Sequence, residues 1–250
     1  MSRRARPRRW PLWLAGAALL GLGLYLVFRV QLTVAPTQAI AAGDELLRAR
    51  TVLAVVAHPD DLEWYIGGTL HRLAQAGADV QVVVATSGEK GPNRTGVVDL
   101  PATRQREQLA AAKINGYRRV RFLGLPDRGA ARDPRFLPEV EAIYREVKPD
   151  AVFLFDPELP ALPYLHVDHQ GTARAFLSFW NTLGAGRPPV YLFQTRRPDA
   201  AVDITAVMDT KERALAQHVT QNGGSGGGMR RLFGGSAVGL RYAEFFRVLR

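Results

Sequence analysis

Two short clusters hold the residues best suited to chemistry. His58-Pro59-Asp60-Asp61-Leu62-Glu63 places a histidine and three acids together, and His166-Val167-Asp168-His169 places two histidines around a further acid. Catalytic zinc typically takes three protein ligands from histidine and carboxylate side chains and leaves a fourth position to water. His58 and Asp61, three apart across a turn, can supply two ligands while Asp60 points elsewhere. One of His166 and His169 then supplies the third, and the other stays free to face a substrate. Alone, His-Pro-Asp-Asp also suits a helix N-cap with acids in the first turn, and loop histidines are common. The two clusters mean a metal site only if the fold brings them to one place.

The elements around them predict that it does. Thr51–Ala57 is a continuous apolar run ending at the first cluster, as a strand buried on both faces requires. Leu62–Ala76 reads as a helix and Asp79–Thr86 as a second strand. Helix Ala102–Asn115, stopped at Gly116, strand Arg119–Leu123, helix Phe136–Val147 and strand Ala151–Phe155 follow. The second cluster comes after that fourth strand and leads into helix Gln170–Trp180. Strand Val190–Gln194, helix Ala206–His218 and an apolar edge segment Tyr242–Leu249 complete the pattern. Such alternation predicts an α/β fold, a Rossmann-like and mostly parallel sheet with helices on both faces. Ligands in such sheets bind outside the carboxyl ends of the strands, where both clusters fall.

The segment Ala57–Leu70 (AHPDDLEWYIGGTL) resembles the opening signature of the PIG-L/LmbE-like N-acetylglucosaminyl deacetylases. Further matches follow in order across most of residues 51–221: Thr86–Gly91, Arg104-x-x-Glu107, Phe122–Asp127, His166–His169, Val202-Asp203-Ile204 and His218-x-x-Gln221, of which His166–His169 is specific and the others are weak singly. The resemblance implies His58, Asp61 and His169 as ligands of Zn²⁺, with another divalent metal such as Fe²⁺ as the alternative. It implies Asp60 as general base and His166 as the residue that steadies the oxyanion. Arg104, Asp127, Tyr164 and His218 are implied as substrate contacts. The expected activity is hydrolysis of the N-acetyl group of an N-acetylglucosamine-type sugar conjugate, giving free amine and acetate. Glu63 reads instead as a structural acid at a helix start, and Gly67-Gly68 as a site of close packing.

The formal charge of +10 invites a nucleic-acid reading, but residues 1–30 contain six arginines and no acid, leaving +4 for the rest. The basicity is therefore a terminal feature and no nucleic-acid partner is expected. Trp10–Phe28 is an uncharged apolar stretch preceded by five arginines and followed by one. It predicts one N-terminal transmembrane helix with the N-terminus cytoplasmic and the catalytic domain exported to the periplasmic or extracellular side. The expected organisation is a cytoplasmic Arg-rich tail and anchor over 1–30, a tether over 31–50 and the catalytic domain over 51–250. Gly223–Gly235 contains a glycine-rich run and is expected to be a mobile loop. The chain has no cysteine, which excludes disulfides and thiolate-held metals. Competing functions are a membrane-tethered glycan-binding module without catalysis and a non-haem Fe(II) oxygenase, whose triad of two histidines and one carboxylate is the same.

Overall fold

A computed structural model describes residues 12–28, 30–161 and 166–250. Strand β1 (Thr51–Val56) is buried almost throughout, as its unbroken apolar run requires. It pairs in parallel with β2 (Asp79–Thr86) on one side and β4 (Ala151–Phe155) on the other. Strands β3 (Arg119–Leu125) and β5 (Val190–Phe193) extend the parallel set outward. The order is β3-β2-β1-β4-β5-β7-β6, seven strands in one sheet.

The last two members correct the sequence reading. The segment expected at the sheet edge is β7 (Ala243–Leu249), and it lies inside the sheet, antiparallel to β5. The edge is β6 (Ala200–Asp203), also antiparallel to β7. At four residues, β6 is too short for alternation to announce it.

The helix expected over Leu62–Ala76 is two helices, α3 (Asp61–Tyr65) and α4 (Gly67–Gln75). The break has a cause in β7. Buried Glu244 accepts the backbone N–H groups of Gly68 (3.0 Å) and Thr69 (2.7 Å), so α4 starts anew on a carboxylate. Lys211 stands 2.8 Å from Glu244 and neutralises it. A Cβ on Gly68 would lie 2.8 Å from Ile204 Cγ2, so the glycine serves close packing, as expected.

Residues 31–50, expected as a tether, are docked onto the sheet instead. Gln31 and Thr33 donate backbone N–H groups to the carbonyls of Arg196 and Pro198, both at 2.9 Å. Helix α2 (Pro36–Leu46) packs on β6 so tightly that a Cβ on Gly43 would lie 1.9 Å from the Ala201 carbonyl oxygen. The helix therefore covers the sheet's last edge. The expected anchor coincides with α1 (Leu12–Phe28), 17 residues long, or about 25 Å at the helical rise. Among the described residues no helix is long and apolar enough to cross a membrane. Gly223–Gly235, expected as a mobile loop, begins just after α9 (Val219–Asn222) and contains α10 (Met229–Leu232), whose Met229 is buried.

The remaining helices are α5 (Leu100–Asn115), α6 (Phe136–Val147), α7 (Val167–Trp180) and α8 (Met208–Leu215). The carboxyl end of β4 is held by buried Asp156, which takes a paired interaction from Arg247 of β7 at 2.9 Å to each oxygen. Burial raises its carboxyl, but the bonds from Arg247, Thr195 and the Leu159 N–H outweigh that and hold it below the ordinary value. A lowered carboxylate stabilises the fold above its unfolded value, about 3.9, and that stabilisation is lost as pH falls through the folded value. Arg247→Met strands this buried charge and is expected to cost about 3 kcal/mol. The midpoint of thermal unfolding at pH 7 should fall by roughly 6–12 °C. An unchanged melting curve would show that the pair contributes nothing.

Candidate metal centre and active site

The site forms where β1 hands over to α3. The chain turns sharply there because Asp60 takes a left-handed backbone, φ 95°, which few non-glycine residues adopt. The turn aims Asp61 back at its own strand end, where Oδ2 accepts the N–H groups of Ala57 (3.1 Å) and His58 (2.8 Å). The other oxygen, Oδ1, lies 3.1 Å from His169 Nε2. His169 comes from the first turn of α7, with its ring stacked on Phe155 at a centroid distance of 3.9 Å. His58 Nδ1 is 3.2 Å from the same His169 Nε2. Three donor atoms from two distant segments thus face one another.

The tautomers follow from what surrounds them. His58 Nε2 stands 3.1 Å from Asp127 Oδ1, and an ionised carboxylate only accepts, so Nε2 carries a proton and the neutral ring offers its Nδ1 lone pair to the cluster. Burial disfavours the cation of His58, but Asp127, Asp168 and Asp61 outweigh it and raise the ring well above its usual value. Burial likewise raises Asp61, while His169 and His58 pull it far below the carboxylate range. The cluster is built to hold positive charge, as a proton or as a metal ion.

Asp60 lies beside the trio without joining it. Burial pushes its carboxyl up to about 6 against the pull of Arg104, whose guanidinium is 3.5 Å away. His166, at the N-cap of α7, accepts the Asp168 N–H on Nδ1 at 3.4 Å, so its neutral ring carries a proton on Nε2. Its pKa is lowered by burial and then by His58 and His169. The ring centroids of His166 and His58 lie 4.7 Å apart. An open cavity of about 330 Å³ collects these groups with Trp64, Lys90, Arg104 and Arg128 on its walls.

Of the residues implied as substrate contacts, Arg104 and Asp127 reach the cavity, but both are committed to the protein. Arg104 is buried and donates to the carbonyls of Gly88 (2.7 Å) and Pro59 (2.6 Å). Asp127 holds His58 and accepts the Lys90 N–H at 2.9 Å. His218 is fully buried, bonded to Glu63 at 3.1 Å, and is not among the residues lining the cavity. Tyr164 lies outside the described residues. Sequence reasoning missed Asp168, whose Oδ2 is 3.7 Å from His58 Nε2 and accepts the Arg128 N–H. Its position between the two histidines was the available signal. It also missed Gln108, one helical turn after Arg104, which accepts the Asp60 N–H at 3.0 Å.

The family model described as PIG-L, GlcNAc-PI de-N-acetylase, matches residues 53–180, which span both clusters. The chain belongs to this de-N-acetylase family. Among the family's relatives is the diacetylchitobiose deacetylase of Thermococcus kodakarensis, 29% identical over 187 residues, covering 69% of this chain and 70% of that one. A 4-oxalmesaconate hydratase of Pseudomonas putida is 31% identical over 186 residues, covering 66% and 72% respectively. In structure, the chain is similar to the N,N'-diacetylchitobiose deacetylase from Pyrococcus horikoshii, with a TM-score of 0.71 and 26% identity. That match covers 98% of this chain and 95% of the other.

Proposed function

We propose that the protein is a metal-dependent N-deacetylase that removes acetate from an N-acetylglucosamine-type conjugate. The observation that carries this reading is the meeting of His58 Nδ1, Asp61 Oδ1 and His169 Nε2 on an open cavity, with the Asp60 carboxylate beside them. Two ligands ~2.0–2.1 Å from a tetrahedral zinc stand ~3.3 Å apart. The separations of 3.2 and 3.1 Å here are close to that edge, so the donor set fits zinc. Fe²⁺ is the alternative for the same ligand types.

Such a metal, when bound, polarises the acetyl carbonyl and acidifies a water near neutral pH. Asp60 accepts the proton of the attacking water. His166 donates from Nε2 to the carbonyl oxygen as it gains charge. The amine departs only when protonated, and Asp60 then holds the proton it requires. Arg104 steadies the Asp60 carboxylate throughout. Relatives named as deacetylases of N-acetylated sugars support the substrate class. The relative named as a hydratase favours a second reading, addition of water to a carbon–carbon double bond. Assaying acetate and free amine from a panel of N-acetylglucosamine conjugates, beside hydration of 4-oxalmesaconate, separates the two.

His166→Ala is expected to retain metal and lose kcat by ~10²–10³, with a smaller change in KM, because its bond forms mainly in the transition state. A raised KM at normal kcat would make it a substrate-binding residue instead.

We further propose that α1 tethers the catalytic domain to a membrane with residues 31–250 exported. The arginine bias across the apolar stretch supports this, as do Leu19, Leu20 and Leu22 of α1, all exposed to solvent. C-terminal fusions to a reporter active only in the cytoplasm, and to one active only after export, test it. A strong cytoplasmic signal overturns the topology and leaves the chemistry untouched.

A further inference from the structure

The left-handed turn at Asp60 is held from outside its own segment. Its N–H donates to Gln108 Oε1 at 3.0 Å, and Gln108 is fully buried in α5. An amide can be turned either way round, so something must decide that its oxygen faces Asp60. Glu63 decides it. Gln108 Nε2 donates to both oxygens of that carboxylate, at 3.3 and 3.2 Å. The Asp60 N–H can only donate and the Glu63 oxygens lie within accepting distance of Nε2, so the NH₂ end points to Glu63 and the oxygen to Asp60.

Glu63 is itself fixed. Asn115 Nδ2 and the Tyr117 hydroxyl donate to Oε1, each at 3.1 Å, and His218 Nε2 meets Oε2 at 3.1 Å. Glu63, Gln108, Asn115 and His218 are fully buried and Tyr117 nearly so. One turn before Gln108 on α5, Arg104 grips the Pro59 carbonyl and lies against the Asp60 carboxylate. One face of α5 therefore controls both the backbone and the charge of Asp60.

We propose that Gln108, oriented by the buried Glu63 cluster, is a positioning residue that locks the left-handed turn at Asp60 and so aims its carboxylate into the site. This rests on the reading of Asp60 as the base. Glu63 and His218 then have a role no substrate contact supplies. They are the far end of a hydrogen-bond chain that reaches Asp60 through Gln108.

The test uses the full, metal-loaded chain and the N-acetylglucosamine conjugate that the wild type turns over fastest. Gln108→Met keeps the side-chain length and removes the acceptor. It should lower kcat by ~10²-fold, the scale of a misplaced catalytic group, with KM and metal content near wild type. Amide exchange at Asp60 should quicken by ~10-fold or more while that of β1 stays slow. The double change Glu63→Gln with Gln108→Glu reverses the chain, placing the acceptor at 108 and the amide at 63, and should recover most of the lost kcat. In an Asp60→Asn background, Gln108→Met should have almost no further effect.

Unchanged exchange at Asp60 in Gln108→Met overturns the proposal whatever the activity. So does an undiminished kcat, or the same loss of kcat in the Asp60→Asn background. Wild-type turnover in Asp60→Asn alone instead removes the base reading, and the exchange measurement still judges whether Gln108 holds the turn.

Discussion

On the proposed metal assignment, His58→Ala, Asp61→Ala and His169→Ala should each purify with little metal, well below one ion per chain, and the wild type with close to one. Each change removes one of three protein donors. Losing only an outer hydrogen-bond partner already costs ~10–100-fold in metal affinity, so a lost ligand must cost more. The three variants should differ in stability. Asp61 also accepts two strand-end N–H groups, which its alanine variant leaves unpaired. His169→Ala loses a ring stacked on Phe155 but strands no backbone group, so it is the cleaner variant. Elemental analysis of the purified proteins, with circular dichroism to confirm folding, checks the result. Full occupancy in folded His169→Ala would remove the metal assignment.

Asp60→Asn is expected to keep its metal and lose ~10²–10⁴ in kcat, the range for loss of a positioned general base. The amide has nearly the shape of the carboxylate, and asparagine tolerates the left-handed backbone as well as aspartate does. The turn at φ 95° should therefore survive, and only the proton acceptor is removed. KM should change little, since the group acts on water. If Asp60 were merely the start of α3, the variant would keep its turnover and lose some thermal stability. Turnover and metal content measured on one preparation distinguish the cases.

The parallel half of the sheet was readable because β1 and β4, and β2 from Val82 onward, are buried on both faces and must be written largely as apolar runs. The antiparallel end was not, because β6 is short and β7 takes its place through distant partners. The split between α3 and α4 was hidden for the same reason. Its cause is Glu244, 176 positions away from Gly68. The docking of residues 31–50 depends on Gly43 meeting Ala201, a contact with no local signature.

By itself the sequence determined where the candidate site residues lie. His58, Asp60, Asp61, His166 and His169 are each placed at a strand end or helix start by local pattern, and the parallel topology then requires both clusters to share one rim. The roles of the supporting residues were decided only by the tertiary structure. Arg104 and Asp127 line the cavity while also holding Pro59 and His58, and His218 is buried against Glu63. Spacing along the chain can bring a polar side chain near a site. Which buried charge or carbonyl takes its hydrogen bonds depends on segments that meet only when the sheet and helices pack, because a buried polar group must find a partner wherever the fold supplies one.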